Sequence, residues 1–289
     1  MKQPSSGPLA PYRALDLTDE KGLLCGKLLG DLGADVIKVE RPEGDPARHR
    51  GPFYGDAPHP ERSLYWFAFN TSKRGITLNL ELPRGRELLL ELAKKADFVI
   101  ESFLPGRLVE LGLGYEALRQ ANPRLVLVSI TPFGQTGPYR DLKASDLVHM
   151  ALGGQMYTSG DPDRAPVRLT VPQAYLHAGA HAAVGAMLAH HGRLQTGQGQ
   201  WVDVSTHACI ARLQYIDPPF WAYDKFLNRR SGAFSWRGPF CFQHFWACRD
   251  GYVCFRLMGG RFGKGVRKLV DWMDAEGMAG PLKEIDWDT

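Results

Sequence analysis

Residues 29–42 read LGDLGADVIKVERP, and this stretch decides the fold. It completes a segment, residues 21–32, in which leucines recur with the spacing of one helical face. Gly33 follows at the position after a helix where glycine is favoured, because glycine adopts the left-handed conformation at little cost. Residues 35–40 then form an apolar segment that ends before Pro42. A helix that turns at a glycine into a buried strand is typical of α/β proteins.

Apolar segments of strand length alternate with helical segments along the chain. A helix starting at Pro83 is predicted to turn Leu88, Leu89 and Leu92 inward, and residues 174–190 form an alanine-rich helix. This alternation predicts a doubly wound, mostly parallel sheet in a Rossmann-like large domain. Besides residues 35–40, the predicted strands are residues 14–17, 76–80, 98–100, 125–128 and 200–205.

The character of the sequence changes near residue 217, where aromatic and turn-forming residues become frequent. A further strand is predicted at residues 251–255 and a helix at residues 265–273. We therefore expect a large α/β domain at residues 1–216 and the start of a smaller domain at residues 217–289. The aromatic side chains of residues 220–246 are expected to form the core of that second domain.

A dinucleotide-dependent enzyme is the first alternative that an α/β pattern suggests. Its glycine-rich turn would follow the first strand, but residues 18–21 read TDEK and contain no G-x-G-x-x-G motif. Two acidic side chains at that turn would repel a pyrophosphate group. The sequence therefore argues against a nicotinamide cofactor.

Composition argues against several other partners. The 35 basic and 31 acidic residues give a net charge of +4 that is spread along the chain, with no basic, aromatic-rich block to indicate nucleic acid. Neither a membrane-spanning apolar run nor a secretory signal is present, so we expect a cytoplasmic protein without a membrane partner. The five cysteines lack metal-ligand spacing. His177 and His181 have no evident third ligand, so no metal site is predicted.

Several motifs together carry a family resemblance. Residues 29–42 are followed by FNTSKRGITL at residues 69–78, ADFVIESFLPG at 96–106, FGQTGPY at 133–139 and RLQTGQGQWVDVS at 193–205. In this order the motifs resemble those of the class III CoA-transferases, the group of formyl-CoA transferase, carnitine CoA-transferase and α-methylacyl-CoA racemase. The resemblance implies acyl-CoA and a small carboxylic acid as substrates, with no permanently bound cofactor.

The resemblance also implies where CoA binds. Arg41, Leu78, Phe103 and Lys143 match CoA-contacting positions of the family, and Ser102 stands where the family has asparagine. The phosphates of CoA favour lysine, arginine and backbone N–H groups at the carboxyl ends of strands. The candidate CoA-binding residues are Lys38, Arg41, Lys73, Arg74, Leu78, Ser102, Phe103, Arg107 and Lys143.

One position departs from the family's chemistry. The family nucleophile is an aspartate in the frame Asp-x-x-Ala/Thr-Gly, whereas residues 175–179 here read YLHAG. The aspartate becomes an acyl thioester during the reaction, and the phenol of Tyr175 has no carbonyl carbon with which to form one. With an ordinary pKa of about 10, the phenol is also protonated at neutral pH.

Two further positions, residues 145 and 146, bear on catalysis. Asp146 lies far from Tyr175 in the sequence and is not expected to replace the missing carboxylate. The racemases of the family pair a histidine with the nucleophile aspartate, and here Ser145 and Tyr175 occupy those two positions. Racemisation is therefore the least favoured activity.

Two classes of function remain open. The chain is a CoA-transferase component that acts with a partner subunit carrying the aspartate or through another nucleophile of its own. Alternatively, it is a non-catalytic, CoA-binding or scaffolding subunit or degenerate homologue. Whether the chain by itself is an enzyme stays open. The resemblance implies a homodimer or a heteromer with an aspartate-bearing paralogue. From the resemblance, we expect residues 217–289 to be the start of a small domain without the family's C-terminal return segment.

Overall fold

The computed structural model describes residues 7–237, 240–256 and 264–287 and divides the chain into two units. The first unit extends to Gln155 and resumes at Arg168–Gln214; the second comprises Met156–Val167 and the chain from Tyr215 onwards. The division near residue 215 lies close to the expected boundary, but Met156–Val167 departs from the expected single range 1–216.

Hydrogen bonds explain why Met156–Val167 belongs to the second unit. Gly232 donates its N–H to the carbonyl oxygen of Gly160 at 3.0 Å. The guanidinium of Arg230 donates to the carbonyl oxygens of Tyr157 and Asp161 at 3.2 and 3.4 Å. These contacts join segments that lie far apart in the sequence, and no local pattern predicts them.

A six-stranded parallel sheet forms the centre of the first unit, with the order β3-β2-β1-β4-β5-β6. The chain fills one half of the sheet outward from β1, then returns to β4 and fills the other half. This order confirms the predicted doubly wound sheet and places its switch point between β1 and β4. The strands are β1 (Arg13–Asp16), β2 (Asp35–Glu40), β3 (Lys73–Thr77), β4 (Phe98–Glu101), β5 (Val126–Thr131) and β6 (Trp201–Ser205).

Helices cover both faces of this sheet. Leucine and alanine side chains of α1 and α7 pack with Phe98, Ile100 and Val128 on one face, and those of α3, α4 and α5 pack with Val99 and Leu127 on the other. Successive strand residues point to opposite faces, so β4 and β5 are buried on both sides. The helices of this unit are α1 (Leu23–Asp31), α2 (Leu64–Asn70), α3 (Pro83–Ala93), α4 (Arg107–Glu110), α5 (Tyr115–Ala121), α6 (Asp146–Leu152), α7 (Gln173–Thr196) and α8 (Thr206–Ala211).

Three expected boundaries or orientations were wrong. The strand expected at residues 76–80 begins at Lys73, because β3 pairs with β2 from Lys73 onwards. Helix α7 continues beyond the expected residue 190 to Thr196, where Gly197 ends it at a φ of 75°. On α3, Leu89 is buried as predicted, whereas Leu88 is 36% exposed.

The described part of the second unit contains two antiparallel ribbons, two α-helices and a short 3-10 helix at Gly280–Glu284. Phe234, Phe240 and Phe245 are exposed on the ribbons, which contradicts the expected aromatic core. A two-stranded ribbon offers few neighbours that could bury its side chains. Among the described residues, no helix has the length and apolarity that a membrane crossing requires. The elements are α9 (Asp217–Asp224), β7 (Phe234–Arg237), β8 (Phe240–Gln243), β9 (Phe245–Cys248), β10 (Gly251–Cys254) and α10 (Lys264–Ala275).

A buried ion pair lies beneath α1. The Nζ atom of Lys73 is 2.7 Å from Oδ2 of Asp16, and it also donates to the carbonyl oxygen of Leu23 at 2.8 Å. Burial opposes ionisation of Asp16, but the charges of Lys73 and Lys38 and the hydrogen bonds to the carboxylate hold its pKa below the ordinary value. A Cβ atom on Gly26 would lie 2.2 Å from Oδ2 of Asp16, so only glycine allows α1 to approach the pair.

We expect Lys73→Met to lower the free energy of unfolding by about 3–5 kcal/mol, because it leaves the Asp16 carboxylate buried without its partner. The matched control is Arg74→Met, which removes a half-exposed pair with Asp35 and should cost less than about 1 kcal/mol. Urea denaturation at pH 7 measures both. Equal losses in the two variants would show that the buried pair does not stabilise the sheet.

Candidate functional site

A groove with a volume of about 450 Å³ opens at the carboxyl ends of β1 and β2, beside the switch point of the sheet. Ligands of doubly wound proteins bind at such a point, because the loops on either side of it diverge. The groove brings together four of the nine candidate CoA-binding residues, Lys38, Arg41, Leu78 and Phe103.

The groove offers an apolar wall and a cation. Leu78 and Phe103 are partly buried against the core on the face of α3 and α5, and this wall can accept a flat ring. Arg41 is exposed and donates its Nε–H to the carbonyl oxygen of Gly44 at 3.0 Å. Within the described part of the chain, no carboxylate is recorded in an ion pair with Arg41, so its guanidinium can bind a phosphate.

Lys38 lines the groove and contacts residues of two loops around it. Its side chain is buried, with Nζ 3.2 Å from Oδ2 of Asp45, and it donates to the carbonyl oxygen of Thr18. Asp45 neutralises the ammonium, and the backbone of Thr18 uses one of its donors. The role of Lys38 is therefore to connect the loop of Thr18 to the loop of Asp45.

Most carboxylates that line the groove are paired within the protein, whereas Glu43 is exposed. Glu40 receives two hydrogen bonds from the guanidinium of Arg48, at 2.7 and 2.8 Å. Burial opposes the charge of Glu40, but these bonds and one from the Asp45 backbone hold its pKa below the ordinary value. Such internal neutralisation lets an acid-lined groove accept an anion beside Arg41.

Lys73 and Arg74 do not reach the groove, contrary to the sequence-based expectation. Lys73 is buried against Asp16. Arg74 binds Asp35 through two hydrogen bonds of 2.9 and 2.7 Å. Both residues stand at the beginning of β3, and ligand-binding loops follow the carboxyl ends of parallel strands.

Ser102 and Arg107 support the groove indirectly. The Ser102 hydroxyl donates to Oδ1 of Asp19 at 2.8 Å and accepts from the Asp19 N–H at 2.9 Å, which fixes the turn after β1. Arg107 donates to both carboxylate oxygens of Glu81 at 2.7 Å, and Glu81 lines the groove. Lys143 lies exposed in the loop before α6 and is not among the residues that line the groove.

Tyr175 lies in the first turn of α7 and is 8% exposed. Burial raises the pKa of Tyr175 to about 12, and the carboxylates of Glu20 and Asp146 act in the same direction. The phenol is therefore neutral at physiological pH. It can donate a hydrogen bond but cannot act as an anionic nucleophile.

Asp146 lies beside Tyr175 although the two are distant in sequence. Its Oδ1 accepts the N–H of Ala174 at 2.8 Å, so it satisfies a free donor at the start of α7. No local pattern predicts this contact, because it joins α6 to α7. His149, one turn further along α6, is fully buried, and burial lowers its pKa to about 4.

Comparison with known proteins identifies the family. Residues 10–280 match the family described as CoA-transferase family III, so the chain belongs to that family. It is 39% identical over 267 residues to the succinyl-CoA:(R)-benzylsuccinate CoA-transferase subunit BbsE of Thauera aromatica. The aligned residues cover 92% of this chain and 64% of that protein.

Two further similarities support this assignment. The succinyl-CoA–L-malate CoA-transferase beta subunit of Chloroflexus aurantiacus is 36% identical over 232 residues, or 79% of this chain and 56% of that protein. A crystal structure of a CAIB/BAIF family protein from Brucella suis superposes with a TM-score of 0.81 at 33% identity, covering 97% of this chain and 72% of that one. The chain thus spans less than two thirds of the length of these two curated relatives.

Glu101, at the carboxyl end of β4, is a buried acid that the sequence did not single out. It is 2% exposed, and its Oε2 accepts the N–H of Phe103 at 2.8 Å. Burial raises the pKa of Glu101 from 4.5 to about 7, and the charge of Asp203 acts in the same direction. The folded protein therefore holds a proton on Glu101 at pH values where the unfolded chain has lost it.

This pKa predicts a pH-dependent stability. The raised pKa of Glu101 adds to the free energy of unfolding. This stabilisation is fully present below pH 4.5 and is lost as the pH rises through about 7. Because one pKa unit corresponds to about 1.4 kcal/mol, the wild type should lose on the order of 3 kcal/mol relative to Glu101→Gln between pH 4.5 and pH 8. Urea denaturation across this range measures the difference. A difference between the two proteins that does not change with pH would contradict the prediction.

Proposed function

We propose that this chain binds an acyl-CoA in the groove and takes part in transferring CoA to a carboxylic acid, with a partner subunit supplying the catalytic aspartate. The observation that carries the proposal is the grouping of Arg41, Leu78 and Phe103 at the switch point of the sheet. Membership of CoA-transferase family III supports the choice of CoA as the ligand.

The chemistry requires a carboxylate. Its oxygen attacks the thioester carbonyl carbon, releases the CoA thiolate and forms a mixed anhydride. The thiolate then attacks the carbonyl carbon of the enzyme's own carboxylate, which releases the donor acid and leaves an enzyme–CoA thioester. The acceptor carboxylate attacks this thioester to form a second anhydride, and the returning thiolate yields the new acyl-CoA. Tyr175 can supply none of these carbonyl groups.

The names of two relatives support a partner subunit. BbsE is described as a subunit of a succinyl-CoA:(R)-benzylsuccinate CoA-transferase, and the Chloroflexus aurantiacus relative as a beta subunit. An aspartate-bearing paralogue would restore the carboxylate that Tyr175 lacks. A homodimer of this chain would not restore it at that position.

The second candidate function is a non-catalytic CoA-binding or scaffolding subunit. The environment of Tyr175 favours it, because a buried, neutral phenol near Glu20 and Asp146 is compatible with structural packing alone. Racemisation remains disfavoured, since Ser145 and Tyr175 occupy the positions of the two proton carriers and His149 is buried away from solvent.

We expect Arg41→Ala to weaken CoA binding about tenfold, which corresponds to ~1.4 kcal/mol for a lost charge-assisted hydrogen bond to phosphate. Arg84→Ala, at an exposed arginine near the start of α3, is the matched control and should bind CoA like the wild type. Isothermal titration calorimetry at low salt measures both. If Arg41→Ala binds CoA as tightly as the wild type, the groove is not the CoA site.

We expect bound CoA to be released from the wild-type chain on denaturation. Native mass spectrometry of the chain with CoA and a panel of acyl-CoAs, followed by denaturation of the same samples, tests this. A covalent adduct that survives denaturation would show that the chain carries its own nucleophile. Absence of any CoA complex would argue that the family resemblance reflects ancestry and not present binding.

Tyr175→Asp distinguishes the two candidate functions. The new carboxylate would stand in the first turn of α7, where the helix dipole favours an anion. We expect this variant to gain a denaturation-resistant CoA adduct when the rest of the catalytic site is intact. Tyr175→Asn is the control, because it has a similar shape to aspartate but no carboxylate. A Tyr175→Asp variant that binds CoA without forming an adduct favours the non-catalytic subunit.

A further inference from the structure

A second cavity, with a volume of about 380 Å³, lies on the face of the sheet that α3, α4 and α5 cover. Three polar residues stand in register on neighbouring strands: Glu101 on β4 pairs with Ser129 on β5, and Ser129 pairs with Asp203 on β6. Residues in such a row point to the same face of a sheet. Glu101 and Ser129 line the cavity and form its polar base.

Hydrogen bonds fix this polar base. The indole Nε1–H of Trp201 donates to Oγ of Ser129 at 2.9 Å, and the side chains of Ser129 and Glu101 are hydrogen-bonded to each other. The N–H of Phe103 donates to Oε2 of Glu101 at 2.8 Å. The carboxyl group is therefore held in one orientation at the base of the cavity.

The cavity has a flat aromatic wall. Trp201 stacks on Tyr115 with ring centroids 6.0 Å apart and an angle of 24° between the rings. Tyr115 is anchored by its hydroxyl, which donates to the carbonyl oxygen of Gly199 at 3.2 Å. Leu104 and Val109 add aliphatic surface to the lining. Such a wall favours a flat apolar body, and its aromatic faces attract cations.

The charged side chains that line the cavity favour a positively charged ligand. Glu101 and Glu116 are the charged residues that line the cavity, and no lysine or arginine lines it in the described part of the chain. An anion such as CoA or a carboxylate substrate would find no cationic partner among these lining residues. The cavity also shares no lining residue with the CoA groove.

We propose that this cavity is a binding site for a small primary amine, whose ammonium group pairs with Glu101 while its flat apolar body lies against Trp201 and Tyr115. The proposal is independent of the CoA groove and of the transferase activity. It requires only that Glu101 ionises when the ammonium enters.

Ionisation of Glu101 makes the binding depend on pH. Burial raises the pKa of Glu101 to about 7; Asp203 acts in the same direction and Lys21 in the opposite one. Glu116 also lines the cavity. An alkylammonium with a pKa near that of lysine, about 10, stays charged between pH 6 and pH 8. Binding should therefore tighten as the pH rises through 7.

Ligand-observed NMR with the full chain tests the proposal, using benzylamine, benzyl alcohol and benzoate as probes. We expect benzylamine to bind, benzoate not to bind, and the benzylamine dissociation constant to fall about threefold or more from pH 6 to pH 8. Glu101→Gln should raise the benzylamine dissociation constant at least tenfold at pH 8 and remove its pH dependence. Equal binding of benzylamine and benzoate by the wild type would overturn the proposal.

A second variant avoids any change to the buried carboxyl. Val109 is 70% exposed at the cavity, so Val109→Lys places a positive charge there without disturbing the core. We expect this variant to raise the dissociation constant of benzylamine at least threefold and to leave that of benzyl alcohol unchanged. Val184→Lys, at a valine of α7 that is 59% exposed, is the control. If Val109→Lys and Val184→Lys bind benzylamine equally well, the amine does not occupy this cavity.

Discussion

The buried ion pair of Asp16 and Lys73 is the interaction on which the rest of the first unit depends. It joins β1 to β3 across the intervening β2, and Lys73 also binds the carbonyl oxygen of Leu23 at the start of α1. The other oxygen of Asp16 accepts hydrogen bonds from the N–H and hydroxyl of Thr18, which begins the turn beside the groove. One carboxylate thus fixes two strands, a helix and a loop, and it tolerates burial because every part of it is paired.

Pairing of charges also explains how one sheet carries two cavities of different character. Around the groove, Lys38 and Arg48 neutralise the carboxylates of Asp45 and Glu40, so these two groups do not repel an anion from the exposed guanidinium of Arg41. In the second cavity no basic side chain lines the wall among the described residues, and Glu101 has only neutral hydrogen-bond donors beside it. The same fold therefore presents a surface that attracts anions and, on different strands, a pocket that attracts cations.

Sequence patterns predicted helices and strands well where residues close in the sequence delimit them. The strand expected at residues 35–40 matches β2, because a helix end, a glycine and a proline delimit it within a few residues. Local signals failed where a neighbour decides the outcome. Strand β3 starts at Lys73 because β2 lies beside it, and the aromatic residues of the ribbons are exposed because no local pattern reveals whether a partner layer exists.

The family, the doubly wound sheet and the tyrosine at the start of α7 follow from the amino-acid order alone, because each rests on residue types in a fixed local order. Which charged residues are available to a ligand depends on the folded arrangement. Lys73 and Asp16 are 57 residues apart, and Ser102 and Asp19 are 83 apart. Contacts over such separations bury or neutralise side chains that a sequence motif would assign to CoA, and they bring Asp146 to the start of α7. Ion pairing and burial depend on distance in space, which periodicity and composition do not encode.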